Sequence, residues 1–271
     1  MRRVPVNGVI LEYEERGNGE PLILSHCGMV ADAFAPLMDQ PALSAYRRIR
    51  YHRRGYAGST RGDGPVTIAD QAADLAGLID HLGVERAHIA GHSSSGFIAL
   101  QLAADRPDLV GTLTLMEPPL GLRLGSPTSQ MMVQRHAVNI QRYRGGDLEG
   151  AADGFFTAVF GPGYRDVLER ALPGGWEQAA RDTGMFYDVE FPSMLQWSFG
   201  AIEARRITVP VLSLAGGESA PMAGETERLL CQWFPQAETA RVAGVNHMLH
   251  LRRPELVAGV MRAFLARHPL C

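Results

Sequence analysis

The first 25 residues carry short apolar runs divided by turn signals. Val4 to Val6 and Val9 to Glu14 flank Asn7-Gly8, a pair that supplies the positive φ angles of a tight hairpin turn. Gly17-Asn18-Gly19-Glu20-Pro21 makes a second turn, and Leu22-Ile23-Leu24 follows as a fully apolar strand. From there strands and helices alternate. Tyr46 to Tyr51 reads as a strand. Ile68, Ala72, Leu75, Ile79 and Leu82 stand at helical spacing behind Thr67, a suitable N-cap. Ala87 to Ala90 is a short strand, Gly96 to Asp105 a helix stopped by Pro107, and Val110 to Met116 another strand. Buried strands alternating with helices predict a parallel sheet in an α/β domain.

The alternation stops near Pro118-Pro119. Residues 122–205 hold no apolar β run, only helical segments broken by Gly145-Gly146, Gly161-Pro162-Gly163 and Pro173-Gly174-Gly175. Eleven of the 20 aromatic residues fall here, so this insertion has apolar mass for a core of its own. The strand pattern restarts at Val209 to Ala215. A helix (Glu225 to Phe234), a short strand (Glu238 to Val242) and an amphipathic helix (Pro254 to Ala266) follow. The expected organisation is one α/β unit, residues 1–121 and 206–271, carrying a helical cap at 122–205.

Composition narrows the chemistry. The 271 residues include 26 Lys+Arg against 29 Asp+Glu, and every cation is arginine. Without lysine there is no Schiff-base catalysis and no Walker A phosphate loop. The lysine-dependent kinase layout goes too. The zero count reads as compositional bias of a GC-rich genome. A formal charge of −3 gives no reason to expect nucleic acid or a membrane surface as partner. No apolar run reaches the length of a membrane span, and the start has no apolar segment of the signal-peptide kind. Cys27, Cys231 and Cys271 show neither disulfide nor zinc spacing. A cytoplasmic monomer or homodimer acting on a small molecule is the expectation.

The informative stretch is Ala87-His88-Ile89-Ala90-Gly91-His92-Ser93-Ser94-Ser95-Gly96. A strand runs into a sharp turn and then a helix, with small residues two before and two after Ser93. A nucleophile on such a turn brings neighbouring backbone close, so those positions must be small. The helix N-terminus there favours developing negative charge. The usual spelling is G-x-S-x-G; here Ser95 takes the last place.

Together with Ser25-His26-Cys27-Gly28, Arg54-Gly55-Tyr56-Ala57-Gly58-Ser59 and a C-terminal histidine, this stretch resembles the α/β-hydrolase family, in its capped form. The resemblance covers nearly the whole chain. It implies an eight-stranded, mostly parallel sheet with helices on both faces and a helical lid inserted after the sixth strand. It implies Ser93 as nucleophile and His247, in Gly244-Val245-Asn246-His247, as base, with His250 as rival. His92 is expected to be structural. The usual acid follows the seventh strand, but Ala220 stands there, in Gly217-Glu218-Ser219-Ala220-Pro221. Alanine cannot orient an imidazolium. Some members carry a glutamate after the sixth strand, which implies Glu117, with Glu218 as the alternative. Oxyanion donors would be the N–H groups of Ser94 and Gly28, or Cys27 after a one-residue slip.

The resulting expectation is a cofactor-free, metal-free serine hydrolase with a Ser-His-Glu triad. It would cleave an uncharged, rather hydrophobic ester or lactone through an acyl-enzyme. Lid aromatics and Met131, Met132, Met185 and Met194 would supply the lid's core and part of the pocket. A receptor-like protein with weak turnover, a perhydrolase and a C–C bond hydrolase remain as alternatives.

Overall fold

The computed structural model describes residues 1–270, apart from the side chain of Arg123. Cys271 lies outside the described residues; among them Cys27 is a buried and Cys231 an exposed free thiol. Eight strands form one sheet: β1 Arg2–Val6, β2 Val9–Arg16, β3 Pro21–Ser25, β4 Arg47–His52, β5 Ala87–His92, β6 Val110–Met116, β7 Val211–Gly216 and β8 Glu238–Val242. Their order is β1-β2-β4-β3-β5-β6-β7-β8. The pairs β1/β2 and β2/β4 are antiparallel and all others parallel.

The hairpin turns where Asn7-Gly8 places it, with φ of 45° and 78°, the two positive angles of a type I′ turn. β1 and β2 bury alternate residues, whereas β5, β6 and β7 are buried at every position. That difference follows from the layers. On one face Ile23, Ile89, Leu113 and Leu115 meet the helices Ile68–His81 and Ser95–Asp105. On the other Leu22, Leu24, Ala90 and Leu214 meet Phe34, Leu37 and the helix Pro254–Leu265. Consecutive strand residues thus feed opposite cores. Thr67 caps the first of these helices in a reciprocal box with Asp70.

Between β6 and β7 the chain is helical: Pro127–Arg144, Leu148–Phe160, Tyr164–Ala171, Gly175–Met185 and Phe191–Gln196, with a wide π turn at Phe186–Glu190. Phe156 packs on Tyr164 and Trp176 inside it. Most boundaries move by one or two residues, and at two starts a proline accounts for the shift. β7 starts at Val211 rather than Val209, after Pro210, which has no N–H for a ladder. The next helix starts at Pro221 rather than Glu225, because proline suits a first helical turn. No helix among the described residues is long and apolar enough to cross a membrane.

Candidate active site

Ser93 sits between the end of β5 and the helix Ser95–Asp105, at φ 53°. A side chain rarely adopts that angle, so the turn is strained and held from outside. Its N–H donates to Met116 O at 2.8 Å, and its carbonyl accepts from Gly96 N–H at 2.9 Å. Gly91 is obligatory for space: a Cβ there would lie 2.5 Å from Ser95 O. Ser95, the departure from the usual spelling, has its own work. Its hydroxyl donates to His26 O and accepts from Ser25 Oγ. The turn at the end of β5 is thereby tied to the loop after β3.

That loop is held a second time. His26 donates from Nδ1 to Cys27 O at 2.6 Å and accepts at Nε2 from Arg53 N–H at 2.9 Å. Burial, then the charge of Arg53, pushes its pKa well below the ordinary value. The ring is therefore neutral, with one donor and one acceptor, as its two bonds require. Holding the carbonyl of the planar Cys27–Gly28 peptide aims the Gly28 N–H the opposite way. No side chain fits at Gly28; a Cβ would meet Phe186 and Glu190 within 3 Å. The Cys27 thiol is buried and pushed up to about 12, chiefly by that burial, so it stays protonated and unreactive.

Glu117 follows β6 at φ 48° and is 7% exposed. Its Oε2 lies 2.6 Å from His247 Nδ1. Its Oε1 accepts from Gly216 N–H, at the end of β7, and from the Ser219 hydroxyl. Burial pushes its pKa up, but the bonds from His247, Ser219 and Gly216 together bring it below the ordinary value. The carboxylate stays ionised. The bond fixes the proton of neutral His247 on Nδ1 and leaves Nε2 free as an acceptor.

His92 donates from Nε2 to His247 O at 3.0 Å and packs ring to ring on both His247 and His250. Burial, then those two rings, depresses its pKa far below normal, so it holds the His247 loop as a neutral donor. His250 is buried, has no partner on either nitrogen and is pushed down to about 3, mainly by burial.

One cavity joins Cys27, Gly28, Ser93, Ser94, Glu117 and His247. His250 and Glu218 do not line it, and Glu218 is exposed. The helical insertion covers it with Met132, Phe155, Phe160, Phe186, Phe191 and Met194. Met131 is instead exposed, and Met185 packs away from the cavity with Tyr56 and Val66. Sequence reasoning missed Ser95, Ser219 and the buried Arg53–Glu190 pair beside Gly28. The departure at Ser95 was the one visible signal.

A family described as the alpha/beta hydrolase fold matches residues 20–254. A putative carbamate hydrolase, RutD, of Azorhizobium caulinodans is 39% identical over 107 residues, 39% of this chain and 40% of that relative. The match therefore spans about two-fifths of the relative's length. Among solved structures, the enol-lactonase of Burkholderia xenovorans LB400 superposes with a TM-score of 0.76 at 24% identity, over 98% of this chain and 100% of that one. Carboxylesterase CesB of Bacillus subtilis gives 0.74 at 22% identity, over 98% and 91%.

Proposed function

The chain belongs to the alpha/beta hydrolase fold family, and from that premise we propose that it is a serine hydrolase of uncharged, rather hydrophobic esters or lactones. The observation that carries this reading is the 2.6 Å contact of His247 Nδ1 with Glu117 Oε2, in the cavity that Ser93 also lines. In the proposed reaction His247 Nε2 takes the Ser93 proton as Oγ attacks the substrate carbonyl. Glu117 stabilises the imidazolium. The Ser94 and Gly28 N–H groups receive the developing oxyanion. His247 returns the proton to the leaving alcohol oxygen, and a water attacking the acyl-enzyme by the same route releases the acid. Residues 122–205 act as the cap whose aromatic face shapes the pocket.

An apolar cavity wall and a neutral oxyanion loop support an uncharged substrate. The esterase and lactonase among the structural neighbours support the same bond class. The test is turnover of p-nitrophenyl acetate and butyrate, with Ser93→Ala as control. Wild-type turnover that Ser93→Ala lowers by about 10³-fold or more is expected. Equal rates in both proteins would end the hydrolase reading.

A further inference from the structure

The helix Pro127–Arg144 of the insertion buries His136 among apolar residues. Its ring packs against Phe155 at 5.4 Å and Phe191 at 4.8 Å between centroids, and it lines the cavity of Ser93 and His247. Its Nδ1 is buried without a hydrogen-bond partner. Only one other nitrogen or oxygen of the described side chains lining the cavity is in that position, the Ser94 hydroxyl beside Ser93. Apart from Ser93, Glu117 and His247, the other polar wall group, Thr226, is satisfied by Gly121 N–H and Pro118 O. Buried polar atoms are almost always paired. A buried imidazole nitrogen without a partner on an aromatic wall is costly where another phenylalanine would not be. It is explained if a ligand supplies the partner.

We infer that His136 is a specificity-determining residue that donates a hydrogen bond to a carbonyl oxygen on the substrate's apolar chain, away from the scissile bond. The inference rests on the hydrolase reading and narrows its substrate class to oxo-substituted acyl esters or lactones. Burial alone acts on the His136 ring and pushes it down to about 4, so the partner meets a neutral imidazole with one N–H to give. A carboxylate is a poor match: no arginine is among the described residues of the wall, and a lone buried anion is strongly disfavoured. A carbonyl oxygen accepts the N–H and brings no hydrogen that the aromatic wall would leave unpaired.

The test uses methyl octanoate and its 3-oxo, 5-oxo and 7-oxo analogues, followed by pH-stat titration. The quantity read is the kcat/KM ratio of each oxo ester to octanoate within one protein, which cancels any general loss of activity. Wild type should favour at least one oxo position by about three- to ten-fold, the worth of one net hydrogen bond. His136→Phe should bring that ratio near one, and His136→Gln, which keeps a donor, should restore part of it. A flat wild-type profile, or a preference that survives in His136→Phe, overturns the inference. The same ratios are read as Kd by calorimetry in Ser93→Ala, with and without His136→Phe. If the esters bind with a His136-dependent preference but are not cleaved through Ser93, the hydrolase reading alone has failed.

Discussion

Glu117 is a buried carboxylate that accepts three hydrogen bonds, from His247, Ser219 and the Gly216 N–H. Its depressed pKa makes it a contributor to stability above the unfolded value of about 4.5. That contribution is lost as pH falls through the lower, folded value. Ser219→Ala removes one donor, so the folded pKa rises toward the unfolded value, and both the contribution at neutral pH and its loss on acidification become smaller. The expected result is a Tm lower in Ser219→Ala than in wild type at pH 7, with the gap narrowing as the pH is taken down to 3. Parallel curves would show that Ser219 does not hold the carboxylate. For turnover, Glu117→Gln should cost about 10²–10⁴-fold in kcat, because the amide no longer stabilises the imidazolium. Glu218→Gln should cost nothing, being exposed and outside the cavity. An undiminished rate in Glu117→Gln overturns its proposed role. At this scale the chain is partly legible. Ser93 can be read because a turn between strand and helix demands small neighbours in sequence. Glu117 is reached through the alanine at 220 and the family resemblance. Ser219 could not be read, because a hydroxyl in a loop has no local signature of what it will touch 102 positions away.

The alternation of apolar runs shows the elements well, because burial on two faces leaves a mark on every strand residue. What it does not show is how two loops are fastened together. Ser95 begins a helix, yet its hydroxyl serves the loop after β3 by bonding Ser25 and the His26 carbonyl. Ser95→Gly would restore the usual G-x-S-x-G spelling while deleting that fastening. All these groups are buried, so the carbonyl would be left without a donor, at a cost of about 1–3 kcal/mol. Glycine also weakens a helix start that serine tolerates. We expect Ser95→Gly to lower stability by that amount in urea unfolding. We also expect kcat/KM on p-nitrophenyl butyrate to fall by about ten-fold or more, because the loop carrying Gly28 shifts against the oxyanion position. A variant as stable and active as wild type would mean that the spelling, not the hydroxyl, matters.

Across the whole molecule, the insertion is joined to the sheet by charge as well as by apolar packing. Arg53, one residue past β4, and Glu190, on the π turn of the insertion, are both almost fully buried and meet at 2.7 Å. Tyr56 donates to the same Glu190 oxygen, and Gln71 accepts from Arg53. Residues 137 apart in sequence leave no periodic trace of such a pairing, which is why this part of the architecture is not legible in the chain. Taking two charges out of water is expensive, and their attraction repays that only while both are present. Glu190→Gln strands the Arg53 guanidinium in the interior and should cost about 3–5 kcal/mol in urea unfolding. Replacing the whole cluster is a different experiment. In Arg53→Met, Tyr56→Phe, Glu190→Leu no charge remains to desolvate, so more than half of that loss should be recovered. The two outcomes separate a role in binding energy from a role in registration. If the triple variant is stable and keeps wild-type kcat/KM, apolar packing alone seats the insertion. If it is stable but loses activity, the pair sets where the π turn lies against Gly28, whose missing side chain leaves room for Glu190. We expect the second result, because the unpaired Glu190 Oε1 abuts Gly28 and a directional pair fixes its position more narrowly than methyl groups can.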